Sequence, residues 1–335
     1  MSGFWKTYPL TKVLESKFNT SIFLSQQFER NSPILALEYS YSVLSGLQNI
    51  DYKKVTRIRE FIKTHFGSPP KTPILDIAEQ YLLPRMDHII IITETKSNTI
   101  IGCVRYHYLG EFITSNSQLI YCVDCFCIHP EYRKKGLGDF LLTTLHNYVN
   151  ANNIPYSLFL KEGPQLSIVH TPLYSGTYVY RKLTHLVEPS KNITPLSPQT
   201  AFKLMSVFQE FTPELFIIRN VNSQNQQWLL YKRNMNIVLA CFQDTFQWFL
   251  DNTFAKNRIG WCTAWVESPG LTDNCREEAA KQLSDYFSSK FEYMWINREW
   301  CSRSTTIWKE DGRFHWHTYQ WCSVSKIAKS YCIMT

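Results

Sequence analysis

Long apolar runs, basic tracts and a leader pattern are all missing from this chain of 335 residues, and each absence excludes a class of protein. No apolar run reaches the roughly 18 residues that a bilayer-spanning helix needs. Lysine and arginine are scattered, so the net charge of +7 does not indicate a nucleic-acid partner. No charged segment followed by an apolar one opens the chain, as a secretory signal would. We therefore expect a monomeric, cytoplasmic protein with no transmembrane segment and no nucleic-acid partner.

The chain also lacks a second pair of metal ligands. Cys122 and Cys125 have the spacing of zinc ligands, but no further pair of cysteines or histidines stands near them in sequence. Both lie in a predicted strand, where residues three apart face opposite sides. Without a signal peptide the ten cysteines are expected to stay reduced. We predict no bound metal.

Apolar material is abundant and predicts two α/β units. Hydrophobic residues make up 44% of the chain, enough for a sizeable core. The same order is predicted in each half of the chain: a series of strands, then a long helix, then one or more further strands. In the first half these are residues 88–93, 100–108, 119–129, 137–149 and 156–160, after helices at 55–66 and 74–83; in the second half they are 228–231, 236–242, 259–266, 274–290, 293–296 and 314–321.

A proline-rich stretch separates the two halves. Residues 188–198 contain three prolines in 11 residues, which is typical of a linker. We therefore predict an N-terminal domain at residues 1–188 and a C-terminal domain at residues 189–335.

Residues 122–141 carry the strongest functional signal. An apolar strand is followed by a turn with glycines at positions 136 and 138, and then by an amphipathic helix. Glycines let the backbone approach a ligand and point successive N–H groups at one anion, and the helix adds its positive N-terminal end. Positive side chains are supplied by Arg133, Lys134 and Lys135. The pattern indicates a pyrophosphate site, although an ordinary basic strand-to-helix turn has the same residues.

Neither common phosphate motif fits this turn. The P-loop needs Gly-Lys-Ser/Thr at its end, and the dinucleotide motif needs a six-residue glycine pattern; both are absent. The strand, the turn and the helix instead resemble the acyl-CoA-binding core of the GNAT N-acyltransferase superfamily, whose signature is Gln/Arg-x-x-Gly-x-Gly/Ala. This resemblance implies acyl-CoA as a co-substrate and no permanently bound cofactor. It implies that CoA is bound by Cys125, Phe126, Cys127, Arg133, Lys134, Lys135, Gly136, Leu137 and Gly138.

Four motifs along the chain resemble, in order, those of the glycylpeptide N-myristoyltransferases. Residues 4–10 are similar to the family's Phe-Trp-x-Thr-Gln-Pro-Val, and residues 124–129 to its Asn-Phe-Leu-Cys-Val-His. Residues 178–181 are similar to Tyr-Trp-His-Arg, and residues 314–321 to Leu-x-x-x-x-Tyr-Asn-Trp. The family's fold is a tandem of two GNAT units, with mixed twisted sheets flanked by helices. The second half of this chain lacks the glycine turn and is expected to bind the acceptor rather than CoA.

The resemblance implies transfer of a fatty acyl group, myristoyl in the family, to the N-terminal glycine amine of a protein. Backbone N–H groups of Cys125 and Phe126 would form the oxyanion hole, and the C-terminal carboxylate, here that of Thr335 returning to the active site, would be the base. The N-terminal Phe4 and Trp5 would contact acyl-CoA.

Several positions depart from the family's pattern. Its aspartate loop, which receives a basic residue of the peptide, is replaced by residues 67–72, Gly-Ser-Pro-Pro-Lys-Thr. The implied acceptor-binding residues are Asp124, Leu160, Tyr178 and Tyr180, which stand for the family's Asn, Thr, Tyr and His. Asp124 is expected to bind an ammonium group or serve as a base; a solvated acid at a strand end is the alternative.

Two other functions remain open from the sequence. The Gly-Leu-Gly turn favours a GNAT acetyltransferase that uses acetyl-CoA on a protein or a small amine. A catalytically inactive protein that binds acyl-CoA or a peptide would keep the same turn but lack a working base.

Overall fold

The computed structural model describes residues 23–24, 31, 34–46, 51–66, 73–112, 118–154, 156–164, 172–184, 190–211, 218–220, 223–301, 307–319 and 321–322. The α-helices in these ranges are α1 (Tyr52–His65), α2 (Glu79–Leu82), α3 (Leu137–Ala151), α4 (Pro198–Phe211) and α5 (Asp273–Asp285), with 3₁₀ turns at Pro130–Tyr132 and Arg298–Trp300. The strands are β1 (Phe23–Leu24), β2 (Tyr39–Ser45), β3 (Ile74–Leu75), β4 (His88–Glu94), β5 (Thr99–Phe112), β6 (Gln118–Ile128), β7 (Tyr156–Glu162), β8 (Tyr174–Lys182), β9 (Ile193–Leu196), β10 (Ile218–Arg219), β11 (Gln226–Arg233), β12 (Asn236–Leu250), β13 (Lys256–Glu267), β14 (Tyr293–Asn297), β15 (Lys309–Tyr319) and β16 (Trp321–Cys322).

One mixed sheet runs through the described part of the chain. Its strand order is β2-β4-β5-β6-β7-β15-β8-β14-β13-β12-β11-β9, with β10 paired to β5 and β3 paired to β12. Strands β6 and β7 are parallel, as are β13 and β14, because each pair is joined through a helix that returns the chain to the same end of the sheet. The prediction of an α/β protein with helices flanking a mixed sheet is confirmed.

The two sequence halves exchange their last strands at the centre of this sheet. β15, from the second half, lies between β7 and β8 and is antiparallel to both. β8, from the first half, pairs in turn with β14 of the second half. The two halves of the sheet therefore have the same strand arrangement: β15 is followed outward by β7, β6 and β5, and β8 by β14, β13 and β12. The predicted boundary after residue 188 falls outside the described residues, so the division into two domains stays a prediction.

Helices cover both faces of the first half. α1 begins at Asp51, whose carboxylate accepts a hydrogen bond from the backbone N–H of Lys53 at 3.0 Å, so a side chain satisfies one of the unpaired N–H groups of the first turn. It packs against the β4–β6 face that carries Cys103, Cys125 and Cys127. α3 packs against the other face, with its apolar side chains around Tyr121.

The second half repeats this arrangement. α4 contributes Ala201 and Phe202 to the core on one face, and α5 contributes Ala280 and Leu283 to the core on the other. The site lies in the first half, between the layers that α1 and α3 form.

Some predicted boundaries were wrong. Residues 74–83 were predicted as one helix, but residues 74–75 form β3, because they pair with Gln247 and Trp248 of β12. The helix predicted for 274–290 ends at Asp285. Beyond Asp285 the chain forms tight turns, in one of which the N–H of Phe287 donates to the carbonyl of Ser284 at 3.0 Å. These turns bury the side chain of Phe287 against the sheet.

Candidate active site

A β-bulge interrupts strand β6 in the first half. Cys103 pairs with Cys127 and Arg105 pairs with Asp124, so Cys125 and Phe126 together oppose the single residue between those β5 partners. Cys125 has a φ of 48°, a left-handed conformation that non-glycine residues adopt only where the surroundings impose it. A bulge leaves its extra residue out of the regular ladder. Cys125 and Phe126 are thereby left out of the regular pairing of β5 with β6.

Strands β6 and β7 separate just before this bulge. Their parallel pairing covers residues 120–123 of β6 and 156–159 of β7, whereas both strands continue for several residues. Beyond that point β7 keeps its pairing with β15 on its other side. The result is an opening in the sheet, with Asp124 on one edge and Leu160 on the other, and the bulge lies at its narrow end.

The turn after β6 forms a cradle for an anion. Gly136 is the N-cap residue of α3, has a φ of 78°, and offers no side chain to cap the helix. The first intrahelical bond runs from the N–H of Phe140 to the carbonyl of Gly136 at 3.0 Å. The N–H groups of the preceding first-turn residues therefore have no intrahelical acceptor, and they point where the helix end favours negative charge.

Positive side chains surround this cradle. The Arg133 Nε donates to the carbonyl of Ile128 at 3.1 Å, which holds the guanidinium beside the end of β6. Lys134 is exposed and has a φ of 64°. Lys135 turns away, with its Nζ 4.7 Å from the centre of the Tyr132 ring. Arg133 and Lys134 are thus the two cations that face the turn.

A cleft of about 400 Å³ joins the bulge to the cradle. Its walls include most of the CoA-binding residues that the sequence predicts. They are Phe126, Cys127, Arg133, Lys134, Gly136, Leu137 and Gly138. Lys135 is outside this lining, and Cys125 is buried beneath it.

Two lining residues, His65 and Phe66 at the end of α1, were missed by the sequence analysis. The ring of His65 lies 4.4 Å from that of His129. Burial, then His129, then Arg133 lower the pKa of His65 below its usual value. No motif marks this position, because only the packing of α1 on the sheet brings it to the cleft.

The thiols at the bulge have raised pKa values. Burial raises the pKa of Cys125 well above its usual value, and burial raises that of Cys127 to about 12 although Arg133 opposes the shift. Thiols with such pKa values are poor nucleophiles at neutral pH. Cys125 and Cys127 can therefore contribute backbone groups and packing rather than an acyl-thioester intermediate.

The predicted acceptor-binding residues are divided between two places. The Asp124 side chain is 30% exposed and forms an ion pair with Arg105, and Leu160 is half-buried next to the opening. Tyr178 is buried in β8, where its ring stacks on Phe314 at 4.1 Å; burial raises its pKa well above the usual value. Tyr180 is half-buried, two residues further along β8.

Phe4, Trp5 and Thr335 lie outside the described residues, so their assignments stay predictions. Arg105 and its second carboxylate partner, Asp87, were missed by the sequence analysis, which named Asp124 but not its ion pair with Arg105. The available signal was a charged residue within a run that otherwise reads as a buried strand, since charged side chains are rarely buried unless paired. In the described ranges no group of three potential metal ligands occurs, and no helix there has the length and apolarity to cross a membrane.

Comparison with known proteins agrees with this geometry. Residues 55–167, which contain the bulge, the turn and α3, match the family model for the acetyltransferase (GNAT) family. The search of curated protein sequences gives no match. The GNAT domain and the site together support acyl-CoA N-acyltransferase activity.

The full chain has a more particular fold. A crystal structure of Saccharomyces cerevisiae N-myristoyltransferase with bound myristoyl-CoA matches with a TM-score of 0.68 and 9% identity, covering 96% of this chain and 92% of the other. A second structure of the same yeast enzyme with myristoyl-CoA has a TM-score of 0.69 and 10% identity, covering 96% and 88%. The fold is therefore the tandem GNAT fold of N-myristoyltransferase, as the resemblance implied. At this identity the likeness shows the fold and not the substrates.

Proposed function

We propose that the protein transfers a myristoyl group from acyl-CoA to the N-terminal glycine amine of an acceptor protein. The observation that carries the proposal is the position of the β6 bulge. It lies at the narrow end of the opening between β6 and β7, and the cleft leads from it to the uncapped start of α3. The fold of N-myristoyltransferase over 96% of the chain supports the choice of acyl group and acceptor.

The cofactor part of the proposal rests on the turn. First-turn N–H groups of α3 would bind the pyrophosphate of acyl-CoA, with Arg133 and Lys134 neutralising its charge. Gly138 lines the cleft, so a bulky side chain there would compete with CoA for space. Phe126 and Cys127 would line the path toward the thioester.

The reaction proposed is direct acyl transfer. The glycine amine nitrogen attacks the thioester carbonyl carbon, and the N–H groups of Cys125 and Phe126 donate to the oxygen as it becomes negative. The C–S bond then breaks, the amide forms, and the proton lost by the amine passes through a base to the departing CoA sulfur. The high pKa values of Cys125 and Cys127 support direct transfer over a covalent acyl-enzyme.

The acceptor part of the proposal rests on the edge of the opening. The partly exposed carboxylate of Asp124 would receive the acceptor amine, with Leu160 across the gap and Tyr178 and Tyr180 placing the peptide further along the sheet. The carboxylate of Thr335 is proposed as the base by resemblance to the family. Adding residues after Thr335 is then expected to abolish turnover while CoA affinity stays unchanged; normal turnover would reject this base.

Ligand-dependent stability tests the proposal directly. Untagged protein is heated with CoA, acetyl-CoA or myristoyl-CoA, since a ligand that binds the folded state raises its stability with affinity and concentration. We expect myristoyl-CoA to give the largest rise in unfolding temperature. In a separate assay, the myristoyl group should be transferred to a peptide with a free N-terminal glycine. A peptide with an acetylated N-terminus is the matched control and should accept nothing.

A second candidate function is supported by the turn itself. Gly136-Leu137-Gly138 has the ordinary GNAT form, and the family model that matches residues 55–167 is that of acetyltransferases. Equal rises in unfolding temperature with CoA and acetyl-CoA, and no rise with myristoyl-CoA, would favour an acetyltransferase and reject the fatty acyl donor. Binding of every donor without transfer to any amine would favour a protein that only binds acyl-CoA.

A further inference from the structure

Arg105 is a buried cation beside the bulge. It stands in β5, is 7% exposed, and pairs across the ladder with Asp124, the residue before Cys125. A buried guanidinium is costly unless its hydrogen bonds are satisfied. Its contacts therefore indicate what it holds in place.

The guanidinium forms a two-pronged ion pair with Asp124. Its Nε donates to Oδ1 at 2.7 Å and its Nη2 donates to Oδ2 at 2.5 Å. The planar fork of arginine fits a carboxylate in this way, which fixes orientation as well as charge. The side chain of Asp124 is therefore locked in one position at the edge of the opening.

The remaining nitrogen ties the same guanidinium to the surrounding structure. Nη1 donates to the carbonyls of Tyr81 at 3.0 Å and Leu82 at 3.4 Å. It lies 3.9 Å from the fully buried carboxylate of Asp87. Asp87 in turn accepts from the N–H of Tyr108 at 2.9 Å and contacts Nδ1 of His107 at 2.7 Å. Arg105 is thus anchored from both sides.

We propose that Arg105 is a positioning residue for acyl transfer, because it fixes the bulge through Asp124 and neutralises the carboxylate beside the oxyanion hole. This inference rests on the proposed role of the Cys125 and Phe126 N–H groups. An unpaired carboxylate one residue before these donors would oppose the negative charge that develops on the thioester oxygen. Paired with Arg105, whose charge is shared with the more distant Asp87, Asp124 presents less negative charge there.

Replacement of Arg105 tests the proposal. In Arg105→Met we expect kcat to fall on the order of 100-fold, the range found when an oxyanion-hole donor is lost, while CoA affinity stays within about twofold. Arg105→Lys keeps a charge but not the planar fork, and its kcat should fall less than that of Arg105→Met. If Arg105→Met does not fold, Arg105→Lys serves alone, with a loss of kcat on the order of 10-fold expected.

A second replacement separates this role from a purely structural one. Asp124→Asn in the Arg105→Met background removes the unpaired carboxylate and should restore part of kcat, because no negative charge then opposes the developing oxyanion. If Arg105 acts only through the stability of the fold, the second replacement should restore no activity.

Arg276→Met provides the matched control. Arg276 also forms a two-pronged pair, with Glu267 through Nη2 at 2.6 Å and Nε at 3.0 Å, but it lies at the start of α5 in the second half. A comparable loss of stability with unchanged kcat is expected. An equal loss of kcat in Arg105→Met and Arg276→Met would overturn the proposal.

A spectroscopic readout distinguishes failure of this inference from failure of the proposed function. Acyl-CoA labelled with ¹³C at the thioester carbonyl is bound to each variant, and the carbonyl stretch is followed by infrared difference spectroscopy. We expect a shift to lower frequency in the parent protein and its loss in Arg105→Met. No shift in the parent protein would reject the oxyanion hole itself. A shift in both, with equal kcat, would reject only the role of Arg105.

Discussion

The two halves of the molecule share a bulge but differ at the turn that follows it. At its bulge β13, like β6, has one residue more than the strand beside it: Cys241 pairs with Ala264 and Phe242 with Cys262, so Thr263 is the extra residue. The parallel pairing of β13 with β14 also stops just before this point, at residues 259–261. Both halves therefore have an opening with a bulge at its end.

The starts of the two helices are different. α3 begins at Gly136, which cannot cap it, whereas α5 begins at Thr272, whose hydroxyl accepts from the N–H of Cys275 at 3.3 Å. Arg276 is held by Glu267 and Asp273. The second half thus caps its helix with a side chain, whereas the N-cap residue of the first half offers none. Under the proposed function, this difference at the helix start is what limits CoA binding to the first half.

The largest effect on CoA affinity is expected from a bulky side chain at the start of α3, compared with the same change at the start of α5. Gly138 and Asn274 occupy the second position of α3 and α5, respectively. Gly138→Trp should weaken CoA binding by at least about 100-fold, because a bulky ring would block the cleft. That loss corresponds to about 2.8 kcal/mol of binding free energy. Asn274→Trp should leave CoA affinity unchanged, and calorimetric titration measures both. Retained affinity in Gly138→Trp would remove the basis for the cofactor assignment.

A smaller effect is expected from alanine at the two left-handed glycines of these turns. Gly136 has a φ of 78° and Gly270 a φ of 81°, and an added Cβ would meet no atom within 4 Å at either site. Alanine should therefore cost about 1 kcal/mol of stability at each position through backbone strain alone. Thermal unfolding should show equal losses for Gly136→Ala and Gly270→Ala. Only Gly136→Ala should also weaken CoA binding, and equal affinities would contradict the assigned difference between the halves.

The smallest effect is a pH dependence that belongs to the first half. The pKa of His65 is lowered by burial, His129 and Arg133, so the free protein holds the ring neutral at pH 7. Bound phosphates favour the protonated ring, so CoA binding should take up a proton. Affinity should then rise, by up to about tenfold per unit of pKa shift, between pH 8 and pH 6.

Comparison with His65→Ala isolates this effect from titration of CoA itself. Calorimetry in buffers of different ionisation enthalpy measures the proton uptake, which should disappear in the variant. The lowered pKa also means that the unfolded state binds the proton more readily, so His65 contributes a loss of stability as the pH falls below about 6.5. Identical pH profiles for the two proteins would show that His65 is not linked to CoA binding.

Features with a local cause could be predicted from the sequence. The repeated order of strands and helices, the glycine turn and the start of α3 at Leu137 were all marked by apolar periodicity or by glycine. The start of α5 was placed at Asn274, but Thr272 caps it. Both residues are good caps, and only the conformation of the backbone decides between them.

Features that depend on register could not be predicted. Strict alternation placed Cys122 and Cys125 on opposite faces, but the bulge that begins at Cys125 breaks that alternation. The pairing of Arg105 with Asp124 requires the β5–β6 register, which the sequence does not display. The exchange of β8 and β15 joins segments separated by more than a hundred residues, so no local sequence pattern predicts it.

That exchange has a consequence for how the chain is made. One edge of β7 is covered only by β15, which comes from residues 309–319. While the chain is being synthesised, the first half therefore has an open strand edge until residues 309–319 have emerged. Such edges pair readily with other chains, and contacts between distant segments form slowly. We expect the first half to complete its sheet only after β15 has been made, and to need protection from aggregation until then.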